Sequence, residues 1–148
     1  MKKTFTKEEY SQYVKSATPN SNLFSNMIKA FIVGGIICDI GQLITNLLKA
    51  RGLNMETASA ITTIIMIFIG AFLTALNVYD VIGKFAGAGS VVPITGFANS
   101  VVSPAMEFKS EGHIMGIGAK MFIIAGPVIV FGVCASIIAG IIHYLITL

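Results

Sequence analysis

Asp39 is the residue whose position asks most of its surroundings. It lies in the middle of a long apolar run, where an ionised carboxylate is costly unless water or a partner meets it. Gly35, Asp39, Gln42, Asn46 and Lys49 recur at alternating spacings of four and three, which puts all of them on one face of a helix. That face is expected to point inward. It either lines a permeation path or forms a hydrogen-bonded seam between helices.

Further along, Gly70, Thr74 and Asn77 form a weaker stripe, and Asp80 and Lys84 stand four apart, a spacing suited to an interfacial ion pair. A third group concentrates polar side chains beside flexible backbone: Asn99, Ser100, Ser103, Glu107, Lys109, Glu111, His113 and Lys120, between Gly96 and Met121. Broken helices at membrane depth expose free N–H groups at their starts, which favour anions, and free carbonyls at their ends, which favour cations. The alternative is a surface loop whose glycines serve only turns. The candidate solute-contacting set is therefore Asp39, Gln42, Asn46, Asn99, Ser100, Ser103, Glu107, Lys109, Glu111 and Lys120. No Ser/His/Asp, Cys/His or paired-carboxylate arrangement stands at a catalytic spacing, so no enzyme is expected. Cys38 and Cys134 lie singly in apolar runs and read as small hydrophobes, and neither a metal nor a cofactor is expected. His143, near the end of the last apolar run, reads as an interfacial residue.

The elements that must hold these residues are helices in lipid. Apolar residues make up 55% of the chain and charged ones 11%, whereas soluble domains carry about a quarter charged. The pI near 9.0 comes from lysines scattered at the ends of apolar runs, without the clustering that nucleic acid requires. Lys2 and Lys3 are followed by a polar stretch, so no signal peptide is expected. Residues 1–26 are expected to form a cytosolic amphipathic helix and linker. Thr6 and Glu9 are spaced for a capping box, Phe5 for a contact with Tyr10, and Pro19 for a break.

Residues 27–148 are expected to form a membrane domain. Its spans are predicted at 27–48, roughly 33 Å of helix, at 58–82, and at 121–147 with an interruption at Gly126-Pro127. Gly52 is placed to end the first span. Between the second and last spans, residues 84–120 carry Gly87, Gly89, Pro93, Gly96 and Pro104. Such a stretch cannot face lipid with unpaired backbone groups, so it either dips in and returns or crosses as a broken fourth span. In the last span Gly132, Ser136 and Gly140 recur every fourth residue, a pattern for close helix packing. The fold class expected is all-α integral membrane, with three spans and this broken segment. Half of the basic residues precede residue 30, which favours a cytosolic N-terminus.

The stretches Gly96-Phe97-Ala98-Asn99-Ser100, Ser103 through Gly112, Gly116 through Phe122 and Gly126 through Gly132 resemble the stage V sporulation A membrane proteins, and the resemblance covers nearly the whole chain. It implies a component of a channel in the inner membrane of the developing and dormant spore, which moves dipicolinic acid with calcium during sporulation and germination. Implied partners are the AD and AE components of the same system. The family offers no catalytic residues to carry over. Three or four helices are too few to enclose a path for such a solute, so a homo- or hetero-oligomer is expected. Gating by membrane tension suits loosely packed Gly-rich segments. A non-conducting scaffold and half of a secondary transporter are the other readings.

Overall fold

The computed structural model describes residues 6–17 and 21–147, and these are helical nearly throughout. The first helix, α1 (Lys7–Ala17), starts as its sequence requires. The Glu9 carboxylate accepts from the Thr6 backbone N–H and hydroxyl, each at 3.0 Å, and the Thr6 hydroxyl accepts from the Glu9 N–H at 3.4 Å. These reciprocal bonds are the capping box. The expected contact of Phe5 and break at Pro19 fall outside the described residues.

Helix α2 (Leu23–Ala50) begins four residues before the predicted start and ends as predicted at the Lys49–Gly52 turn. Gly52 adopts φ +88°, its N–H donates to the Lys49 carbonyl (2.9 Å), and the Leu53 N–H donates to that of Leu48 (3.4 Å). This left-handed C-terminal motif satisfies carbonyls that would otherwise be orphaned. Helix α3 (Met55–Ala75) starts three residues earlier than predicted, because the Asn54 side chain caps it by accepting from the Thr57 N–H (2.8 Å). A hydroxyl pair, Thr45 and Thr62 at 2.9 Å, ties α2 to the returning α3. Three segments are long and apolar enough to cross a membrane: Leu23–Ala50, Met55–Ala75 and His113–Thr147.

The second span does not run to Ile82 as predicted. It stops at Ala75 because Asn77 takes a left-handed conformation (φ 59°, ψ 17°), one that asparagine tolerates and a helix interior does not. Three short helices follow: α4 (Val78–Ala86), α5 (Ala88–Val91) and α6 (Ile94–Glu107). Gly70 of α3 touches Thr95, and four residues on in each helix Thr74 meets Asn99. Contacts that advance together mean that α6 runs parallel to α3. The chain between them therefore turns back within α4 and α5 and turns again near Pro93, which lies beside Cys38, Gly41 and Thr62, well inside the α2–α3 hairpin. Gly89 packs against the backbone of Ala30 in α2.

After a 3₁₀ turn (Phe108–Glu111) and a π-helical stretch (His113–Gly118), α7 (Phe122–Thr147) completes the chain. It is continuous through Gly126-Pro127, where an interruption was expected. Proline removes one backbone bond, and the flanking turns carry the helix past it. Ala125 is fully buried, whereas the rest of α7 is exposed apart from a half-buried Gly126.

Burial is inverted relative to a soluble protein. Apart from Met66, the buried side chains among the described residues are small or hydroxylated (Ala58, Ala86, Ala98, Ser90, Thr95, Thr74 and Tyr79 among them), while Phe31, Phe68, Phe131 and many isoleucines are exposed. Lipid takes the large apolar residues, and small residues let helix backbones approach each other.

A Cβ at Gly70 would lie 2.8 Å from the Thr95 carbonyl oxygen and 2.9 Å from its Cα, so Gly70→Val is expected to cost about 1–3 kcal/mol or more. Gly41→Ala, with open space around it, should be neutral. Thermal unfolding in detergent reads both. At the other end, the Thr6 N–H and then its hydroxyl hold the Glu9 carboxyl below the usual carboxylate range. Its contribution to α1 is therefore complete above the ordinary value of about 4.3 and lost as pH falls through the lowered one. The protection of the Glu9 and Tyr10 amides, taken relative to the intrinsic exchange rate at each pH, should fall only across that acidic window.

Candidate functional site

Where α3 stops short, a polar cavity opens. It has a volume of about 360 Å³ and is lined by Thr74, Asn77, Asp80, Asn99, Ser103, Met106 and Glu107. Each lining residue follows from local structure. Asn99, Ser103 and Glu107 are four apart on α6 and so form one column. Thr74 occupies the last turn of α3, Asn77 is the left-handed residue that ends it, and Asp80 lies in the first turn of α4. The Thr74 hydroxyl is 2.7 Å from the Gly70 carbonyl and 3.0 Å from the Asn99 side-chain oxygen, which fixes the deep wall.

A second cavity of about 340 Å³ shares Asp80, Asn99, Ser103 and Glu107 and extends to Ser90, Gly96, Ser100 and Ile124 of α7. Its back wall is a buried network: the Tyr79 hydroxyl donates to the Ser90 carbonyl (2.7 Å) and shares a hydrogen bond with the Thr95 hydroxyl (2.8 Å). The Ser100 hydroxyl is satisfied by the Phe97 carbonyl at 2.7 Å. Together the cavities offer two carboxylates, two amides and several hydroxyls, a set of oxygens suited to a hydrated cation or to a solute that carries one.

Of the residues singled out from sequence, Asn99, Ser100, Ser103 and Glu107 are brought together. Thr74, Asn77 and Asp80 complete the site and were not assigned to it. Their spacing showed a stripe, but only the break at Asn77 turns Asp80 toward α6. Asp80 also makes the expected ion pair with Lys84, at 2.6 Å with both side chains exposed. Lys109 and Glu111 are exposed in the 3₁₀ turn, outside both cavities, and the Lys120 ammonium lies over the Phe108 ring at 4.4 Å.

The α2 stripe departs from expectation. Asp39, Gln42 and Asn46 are exposed and do not face the broken segment, because α2 presents Ala30, Gly34, Ile37 and Thr45 to its neighbours instead. Gln42 donates to Asn46 at 2.9 Å, and Asp39 has no hydrogen bond or ion pair among the described residues. The packing stripe of α7 is likewise unmet within the chain. A Cβ at Gly132 or Gly140 would touch nothing, and the Ser136 hydroxyl turns back to the Gly132 carbonyl at 2.8 Å. The reason is that α7 leaves the bundle beyond Ala125.

Comparison with known proteins agrees with the architecture. Residues 26–142 match the family of SpoVAC/SpoVAEB sporulation membrane proteins, and the chain belongs to that family. It is 49% identical over 142 residues, 95% of each chain, to stage V sporulation protein AC of Bacillus subtilis (strain 168). No solved structure matches it.

The geometry predicts which positions water reaches. In a chain with Cys38 and Cys134 replaced, Asn99→Cys and Ser103→Cys should react with a cationic thiosulfonate faster than Ala98→Cys by roughly an order of magnitude, since reactivity follows exposure and Ala98 is buried on the α3 side. Equal rates would mean that the cavities are closed to water.

Proposed function

We propose that the chain is a subunit of a channel that carries dipicolinate with calcium across the inner membrane of the spore, inward in sporulation and outward in germination, alongside the AD and AE components. The observation that carries this reading is the outer face of α2. Asp39 lies about 15 Å from either end of the apolar interval between Lys29 and Lys49, exposed and without a partner among the described residues of its own fold. A carboxylate at that depth requires water or a second protein chain. A pore wall shared between chains supplies both.

The broken segment fits the same reading as a re-entrant hairpin. Parallel α3 and α6 bring Asn77 and Glu107 to one side, so the 360 Å³ cavity serves as a vestibule at the mouth of the path. With three crossings and a cytosolic N-terminus, favoured by the early lysines, the C-terminus lies outside and the vestibule faces the cytosol. Amides and hydroxyls meet the planar dianion there, while Glu107 meets its calcium. Weak, distributed contacts suit passage, since a tight site traps its solute. The small-residue crossings at Gly70 and Gly89 rest on backbone contact with no side chain between, and they give membrane tension an element to displace.

The test is made in spores. Asp39→Leu, with the protein present in the membrane at normal amount, should lower stored dipicolinate several-fold, and Asp39→Asn should lower it less. Reconstituted with its partner components, the Leu variant should lose conductance. Unchanged dipicolinate in spores containing the variant would remove the α2 face from the path and favour a scaffold subunit.

A further inference from the structure

On the side of α2 away from its polar stripe, a groove of about 460 Å³ opens between α2, α3 and α4. Ile36 and Ile40 of α2, Ile69 and Leu73 of α3, and Ile82 and Phe85 of α4 form its wall, which presents no polar surface. Tyr79 and Thr95 border it, but their hydroxyls are turned to each other at 2.8 Å. The groove exists because α3 ends early. Helix α4 departs at Asn77, and its Val81, Ile82 and Phe85 close a third side of the space between α2 and α3, which no side chain fills. Such a space in a membrane-spanning bundle fills with hydrocarbon, as water has no hydrogen-bonding partner there.

One end of the groove is marked by charge. The Lys29 ammonium sits 5.1 Å from the centroid of the Phe85 ring and has no carboxylate partner among the described residues. A second cleft of about 400 Å³ continues past Phe85 toward the start of α2, lined by Met27, Ala30 and Lys84. Depth agrees with this order. Lys29 to Lys49 spans roughly 30 Å of helix, the thickness of a hydrocarbon core, so Lys29 stands at one headgroup boundary. The groove begins at Val33, roughly 6 Å deeper along the same helix, and runs inward to Ile40.

We propose that this groove holds an acyl chain of an anionic phospholipid whose phosphate is bound by Lys29. A cation at headgroup level above a wholly apolar slot matches the charge order of a lipid end to end. The proposal depends only on the chain's residing in a membrane, so its outcome is independent of what the protein conducts.

The chain contains no tryptophan, so a single one reports cleanly. Phe85→Trp keeps an aromatic ring beneath Lys29, and Ile138→Trp on the exposed face of α7 serves as the bulk-lipid control. The full chain is placed in phosphatidylcholine vesicles containing a low mole fraction of chain-brominated phosphatidylglycerol or chain-brominated phosphatidylcholine. Fluorescence of the Phe85→Trp chain should be quenched several-fold more by the brominated anionic lipid, with saturation, while the α7 reporter is quenched equally by both. Added to the Phe85→Trp chain, Lys29→Gln should abolish the preference, and Leu73→Phe should reduce quenching without changing the elution of the protein. Equal quenching of the Phe85→Trp chain by both lipids, a preference that survives Lys29→Gln, or quenching by neither lipid, as when a second chain covers the groove, would each overturn the proposal.

Discussion

The approach of α6 to α3 at Gly70 is the constraint on which the rest depends. Water-driven apolar burial does not hold helices together inside lipid, so association rests on close backbone contact and on the hydrogen bonds that contact permits. With no side chain at Gly70, Thr95 lies against the α3 backbone, and from that point two bonds become available: Tyr79 to Thr95 on one side and Asn99 to Thr74 on the other. Each is worth about 0.6 kcal/mol on average in membrane proteins. Their larger effect is geometric. They set the register of α6, and the register decides that Asn99, Ser103 and Glu107 look toward Asp80.

The second consequence is a set of surfaces that one chain leaves uncovered. In α2 the side that packs inward is built from Ala30, Gly34 and Thr45, and so the polar residues fall on the outer face. In α7 the helix departs after Ala125 and exposes both its isoleucines and its small-residue stripe. Isoleucine on lipid needs no explanation. Asp39 on lipid does, because a charge at mid-depth is tolerated only beside water or protein.

Much of this is legible in residue order. Apolar run lengths locate three spans, Gly52 marks the end of α2, and Thr6 with Glu9 announces the capping box. What is hidden turns on single backbone conformations and on the choice between helix faces. Apolar composition continues unbroken from Ala75 to Ile82 apart from Asn77 and Asp80, so nothing in hydropathy signals that Asn77 adopts a left-handed turn and ends α3. The direction of the α2 stripe is hidden for a related reason. Periodicity states which residues share a face but not which face finds a neighbour, and in lipid the small residues claim the neighbour. Gly34, which lies against Gly89, carries that information, and the polar residues beside it draw attention away.

The electrostatics of the vestibule then acquire a simple form. Asp80 and Lys84 neutralise each other at 2.6 Å, which leaves Glu107 as the single uncompensated charge along the wall formed with Asn77, Asn99, Thr74 and Ser103. A surface with one net negative charge repels a bare dianion and accepts one that travels with a divalent cation, since the pair is close to neutral. Under the channel proposed here, selection for the paired solute would come from this near-neutrality and not from a strong site. The same logic would apply to Asp39 in that proposed channel: a lone carboxylate in each subunit, ringed around a shared path, would favour a cation at mid-depth and pass the anion only in its company. Both positions obtain their effect from scarcity of charge, which is also the condition for the helices that carry them to reside in a bilayer.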